Sequence, residues 1–201
     1  MRRLPTLAIA LCSLAHAAPP EVDRRIDAAL VAAADVGSGA KATYSDAGEF
    51  VLGVVLSESR GRLVILRRQA AGRYAIDSES HVFENDFGPG YDIEMVEHNG
   101  PRRFSIQVNS RSGCGTQVET FRLAQAGGAW RVAGYDKSEP DAPPTCDVNS
   151  RSRELSADLL TGQVHVVDYR AGKPVRHVSR VTRAPAPEVA AFDFSMFDIE
   201  P

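Results

Sequence analysis

The chain lacks most of the features that mark enzymes, membrane proteins and nucleic-acid binders. It has only three cysteines, one tryptophan and 7% aromatic residues in 201 positions. Beyond the first seventeen residues no apolar run approaches the roughly twenty needed to cross a bilayer, so the rest is expected to be soluble without a membrane span. Net positive charge is also missing. The formal charge is −3 at pH 7, whereas nucleic-acid binders present a basic face to phosphates. The motifs of activated serine nucleophiles and zinc hydrolases, G-x-S-x-G and H-E-x-x-H, do not occur, and neither does the redox or metal spacing C-x-x-C. A non-enzymatic protein is expected, with no cofactor and no metal.

What is present begins at the N-terminus. Arg2 and Arg3 precede the apolar run Leu4 to Leu14, and Ala15-His16-Ala17 supplies the small residues a signal peptidase recognises. Residues 1–17 therefore read as a secretory signal peptide cleaved near Ala17, and the mature chain as periplasmic or secreted. Pro19 and Pro20 interrupt the segment too early for a membrane anchor, and Leu11 stands where a lipidation signal before Cys12 would carry Gly, Ala or Ser. Cleavage leaves 184 residues and moves the formal charge to −5, because Arg2 and Arg3 leave with the signal. Two cysteines remain, Cys114 and Cys146, an even pair in an exported chain, and a disulfide between them is the natural expectation. It would close a loop of 32 residues, worth roughly 4 kcal/mol in the chain-entropy model.

The mature chain divides by pattern. In residues 18–48, Val22, Ile26, Leu30 and Ala33 recur at helical spacing, predicting one short amphipathic helix that ends near Gly37 and leads into a linker. Residues 49–182 carry short β-type runs separated by Gly, Pro, Asn and Asp: Phe50–Leu56 and Arg62–Arg68, each apolar on both faces, then runs around residues 74, 93, 104, 117, 130, 155, 164 and 175. No helices intervene, so the fold class is mainly β, an antiparallel meander closed into a sandwich, a barrel or propeller-like blades. A long loop is expected from Lys137 to Ser152. Residues 183–201 form a Pro-rich spacer followed by an apolar and acidic tail, Phe192 to Ile199, that docks either on its own domain or on a partner.

Candidate functional residues come from the loops. Asn109 to Thr116 is a polar loop after the cleanest alternating strand, pinned at Cys114 by the expected disulfide, with Arg111 and Ser112 placed to meet a partner at little ordering cost. Glu84 to Asp92 is acidic and glycine-punctuated. It turns sharply and presents Asp86, Phe87 and Tyr91, without the spacing of an EF-hand calcium loop. Carboxylate pairs of the kind glycoside hydrolysis uses can be drawn from Glu84, Asp86, Asp92 and Glu94, but nothing in the sequence selects one. His165 and His177 are candidate cross-strand neighbours on a solvated sheet face, and Ser38-Gly39-Ala40-Lys41 matches S-x-x-K outside the helix that motif requires.

Phe121-Arg122-Leu123, Gly127-Gly128-Ala129-Trp130-Arg131-Val132-Ala133-Gly134-Tyr135-Asp136 and Leu159-Leu160-Thr161-Gly162 carry the pattern "strand, G-x-W-x-hydrophobic-x-G-Y-D, loop, L-T-G". In this the chain resembles a group of exported bacterial β-rich proteins of mostly unknown function, distantly like periplasmic lysozyme inhibitors and immunity proteins. Ser112-Gly113 stands here without the tyrosine of the inhibitor signature S-G-x-x-Y. The resemblance implies a binding or inhibitor role toward a protein or cell-wall-related partner in the envelope, such as a wall-degrading enzyme. The alternatives are a cell-wall or polysaccharide hydrolase using acidic residues and a structural envelope protein.

Overall fold

The computed structural model describes residues 20–85, 91–112, 115–139, 151–170, 173–181 and 186–194. Helix α1 (Pro20–Ala34) carries Glu21 and Asp23 in its first turn, where carboxylates oppose the positive end of the helix dipole. Ile26, Leu30 and Ala34 recur every four residues and are fully buried. The helix stops three residues before the predicted Gly37, at Asp35, whose φ of 48° breaks the helical course.

Twelve strands follow among the described residues. β1 (Lys41–Asp46), β2 (Phe50–Leu56), β3 (Arg60–Arg68), β4 (Tyr74–Glu79) and the two-residue β5 (Phe83–Glu84) make a five-stranded sheet in the order β1-β2-β3-β4, with β5 on β3. β6 (Tyr91–His98), β7 (Arg103–Ser112), β8 (Gly115–Ala126), β9 (Ala129–Glu139), β10 (Arg151–Asp158), β11 (Gln163–Arg170) and β12 (Lys173–Val181) run in strict antiparallel succession as a seven-stranded sheet. The sheets are open and packed face to face, so of the three expected β architectures the fold is the sandwich-like one.

The doubly apolar runs β2 and β3 explain the layering. Phe50, Leu52, Val54, Leu63 and Ile65 face the seven-stranded sheet, while Val51, Val55, Val64 and Leu66 face α1 on the other side. A strand buried on both faces reads as a continuous hydrophobic run, as these do. Gly53 is the exception on the helix side. A β-carbon there would lie 2.7 Å from Leu30 Cδ1, so glycine is what lets α1 sit down on the sheet. The two sheets are pinned together by Trp130 on β9, whose Nε1 donates to Asp77 Oδ2 of β4 at 2.7 Å and whose ring meets Phe50 edge-on at 5.3 Å.

One segment departs from the sequence reading, and one of its open alternatives is decided. Residues 41–46, read as linker, form edge strand β1. Its residues Ala42, Thr43, Tyr44 and Ser45 are half-buried and give no apolar alternation to detect. The tail docks in cis as far as Phe194: a 3₁₀ turn over Val189–Ala191 and the following Phe192 are inserted into the core, Val189 and Phe192 fully buried. Main-chain bonds hold it, from Val132 N–H to Pro187 O at 2.9 Å and from His81 N–H to Ala190 O at 3.2 Å.

Candidate functional site

Antiparallel order puts every second connection of the seven-stranded sheet at one end. That end collects the start of β6, the end of β7 and start of β8, the end of β9 and start of β10, and the end of β11 and start of β12. Cross-strand register brings three of the candidates together there: Tyr91 pairs with Ser110, next to Arg111, which pairs with Thr116, and Ser112 pairs with Gly115. Arg111 is exposed. Asp86, Phe87, Cys114 and Cys146 lie outside the described residues. β7 and β9 end, and β8 and β10 begin, at this end.

Toward this end the inner face of the sheet changes from apolar to charged, one row at a time. The row Ile106–Phe121–Tyr135–Ala157–Val164 is buried core. In the next row, Val108–Glu119–Lys137–Leu155–Val166, two ionisable groups enter. Glu119 is buried and accepts from the Tyr135 hydroxyl at 2.9 Å and from the Gln117 amide. Beyond that, Glu139 stands opposite Arg153, Arg153 opposite Asp168, and Asp168 opposite Arg176. Arg153 Nε donates to Asp168 Oδ1 at 2.7 Å, Arg176 Nη1 lies 3.8 Å from Asp168 Oδ2, and Lys137 Nζ lies 3.1 Å from Glu139. The hydrogen bond to Asp168 holds the Arg153 guanidinium above its ordinary pKa. A cleft of about 370 Å³ opens here, lined by Glu139, Arg153, Asp168, Arg170, Val175 and Arg176 among others.

The outer face of the same sheet has no covering layer among the described residues. It carries a shallow depression of about 310 Å³ lined by Thr120, Asp136, Glu154, Ser156 and His165. His165 and His177 lie on neighbouring strands two pair positions apart, and so on one face, with rings stacked at 6.1 Å and 8°. No group of three or more metal-binding side chains occurs among the described residues. Tyr169 donates to Glu154 Oε2 at 2.9 Å, and that hydrogen bond raises the phenol's pKa.

Comparison with family models, curated proteins and solved structures gave no match.

The residues that carry the sequence resemblance are each accounted for by architecture. Gly134 lies under the Arg122 guanidinium, where a β-carbon would come within 2.5 Å of Nη2. Arg122 in turn donates to Asp136 Oδ1 at 3.2 Å and to Ala157 O at 2.9 Å, and Ser156 donates to the same Asp136 oxygen at 2.6 Å. Trp130 and Tyr135 are core residues, 3% and 2% exposed. The L-T-G stretch is the β10–β11 turn. There Asp158 Oδ1 accepts from the Leu160 and Thr161 backbone N–H groups at 3.0 Å each, and the Thr161 bond chiefly holds the Asp158 carboxyl below its ordinary pKa. Trp130, Gly134, Tyr135 and the L-T-G turn thus have structural roles, while Asp136 also lines the outer depression.

Sequence reading missed Arg153, Asp168, Arg170 and Arg176, which converge only through the pairing of β10, β11 and β12. A charge count could have found the region. Residues 151–183 hold seven Lys and Arg against three Asp and Glu, in a chain whose totals are 23 and 26. Of the carboxylates considered for hydrolysis, Asp86 lies outside the described residues and the other three line neither cleft. Glu84 is on β5 of the other sheet, Asp92 is exposed on β6, and Glu94 accepts hydrogen bonds from Gln107 and Asn109. Ser38 and Lys41 are exposed and belong to a turn and to the start of β1.

Proposed function

We propose that this is an exported, non-enzymatic binding or inhibitor protein that engages a protein or cell-wall-related partner in the envelope through the loop end of its seven-stranded sheet. The observation that carries the reading is the placement of exposed Arg111, with Ser112 beside it, at the tip of a hairpin of ten- and twelve-residue strands. A tip mounted on long paired strands is held in place before binding, so little conformational entropy remains to be lost. The signal-like N-terminus and the resemblance to periplasmic inhibitors supply the compartment and the class of partner. A hydrolase reading would need two carboxylates facing one cleft, and among the described residues none of the candidates lines either cleft.

The test is inhibition of wall-lytic enzymes acting on purified peptidoglycan, with the intact mature protein and with Arg111→Glu. Inhibition that weakens at least about tenfold in the variant, at unchanged thermal stability, is the expected result, since reversing a charge at the centre of a contact leaves both sides unpaired. Equal potency of the two proteins, or no effect on any lytic enzyme together with no envelope partner recovered by crosslinking at position 111, would overturn the reading.

The Cys114–Cys146 disulfide belongs to the same proposal. Peptide mapping without reductant is expected to recover the two cysteine peptides joined, and thiol labelling of the unfolded mature chain is expected to find no free cysteine. Two labelled thiols in protein secreted under oxidising conditions would remove the bond and the pinning of the tip.

A further inference from the structure

We propose that β12 is a docking strand for an acidic, extended polypeptide segment that adds to the open edge of the seven-stranded sheet. The inference rests on reading the chain as a binding protein and names the chemistry of what it binds. β12 ends the sheet, and among the described residues β11 is its only strand neighbour. Such an edge presents unpaired main-chain N–H and C=O groups, which an incoming strand can bond as a ladder. Pro174 contributes no N–H and the register shifts at Val175, so the groups able to pair lie within residues 175–181, at the alternate residues whose N–H and C=O face away from β11. The side chains of residues 173–177 are exposed, Val175 at 62%, and an exposed valine on an edge gains by being covered.

Charge selects the occupant. The strand reads Lys-Pro-Val-Arg-His-Val-Ser-Arg-Val, with three cations and no acid. A second copy of β12 would set cation beside cation, and like charges on facing strands repel. The cleft at the start of the strand deepens the bias, because Asp168 is the one carboxylate shared between Arg153 and Arg176, while Arg170 adds a further cation to its wall. Three guanidinium groups, of Arg153, Arg170 and Arg176, against two carboxylates, of Glu139 and Asp168, leave the cleft with one net positive charge. An acidic strand satisfies both requirements at once, its main chain pairing with the edge and its alternate carboxylates lying along the cations. A polyanionic glycan offers the charge but not the ladder.

The test uses the intact mature protein and an end-blocked, fluorescently labelled peptide, Thr-Glu-Val-Glu-Thr-Glu-Val-Glu, followed by anisotropy, with hydrogen exchange read at residues 175–181. Expected are saturable binding at one site per chain and slowed exchange at those amides. Affinity is expected to fall at least about tenfold in the Lys173→Glu/Arg176→Glu double variant and with a probe N-methylated at alternate amides. Both substituted side chains are exposed, and an unchanged melting temperature confirms that the variant is folded. An N-methylated probe that binds as tightly, or heparin that binds and displaces the peptide without protecting the strand, would replace the docking strand with a general polyanion surface. Absence of binding by the unmodified probe would overturn the inference outright. If the peptide fails while Arg111-dependent inhibition persists, only the docking strand falls. If the peptide binds while Arg111 has no effect, the hairpin-tip reading falls and the docking strand stands.

Discussion

Phe192→Ala is expected to destabilise the protein by about 3–5 kcal/mol, the range for emptying a fully buried phenylalanine site. The residue lies in what the sequence presents as a tail after a Pro-rich spacer, where a substitution would ordinarily be harmless. Its ring instead meets Phe121 at 5.5 Å and 88°, and Phe194 at 4.8 Å and 80°, while its N–H donates to Val189 O at 2.9 Å. Edge-to-face pairs of this kind contribute beyond the area they bury. Urea unfolding followed by far-ultraviolet circular dichroism measures the loss. Glu188→Ala, which removes an exposed contact to Arg131 Nη2 at 2.9 Å, is expected to stay within about 1 kcal/mol of wild type. A Phe192→Ala loss below about 1 kcal/mol would show that the docked segment is dispensable to the core.

Trp130→Ala is expected to cost a similar amount, about 3–5 kcal/mol, for a different reason. Trp130 is the only tryptophan in the sequence, and it joins the sheets both by packing, against Phe50 at 5.3 Å and Phe104 at 5.8 Å, and by its hydrogen bond to Asp77. The two contributions separate with Trp130→Phe, which keeps a ring between Phe50 and Phe104 but gives Asp77 no indole donor. Arg67 Nε remains 3.4 Å from Asp77, so that carboxylate keeps a partner and the phenylalanine variant should retain most of the stability. A net hydrogen-bond contribution is about 0.5–1.5 kcal/mol. Equal losses in the two variants would mean that the hydrogen bond, not the packing, joins the sheets. Both variants lose indole fluorescence, so circular dichroism has to report their unfolding.

The mainly β class, the N-terminal helix and most of the strands were legible in the sequence because burial imposes a period. Phe104, Ile106 and Val108 alternate with polar residues where one face is wet, and β2 and β3 run continuously apolar because helix and sheet cover opposite faces. β1 was not legible, since a half-buried edge strand of Ala, Thr, Tyr and Ser gives no such signal. Nor was the destination of Phe192, which depends on where the strands leave an unfilled face. For the candidate site, Tyr91, Arg111 and Ser112 were found from loop chemistry, and register then placed them together. The cluster of Arg153, Asp168 and Arg176 was hidden for a simple reason. Its members are distant in sequence, and only the pairing of three successive strands makes them neighbours.

The insertion of residues 186–194 into the core also sets an order of events during biosynthesis. All twelve strands are made before this segment leaves the ribosome, yet Phe121 and Phe83 are without part of their apolar cover until Phe192 and Phe194 arrive. A nascent chain that has completed its sheets still lacks the piece that closes them, so it stays short of its final stability late into synthesis. Exposed apolar surface of that kind is what chaperones recognise.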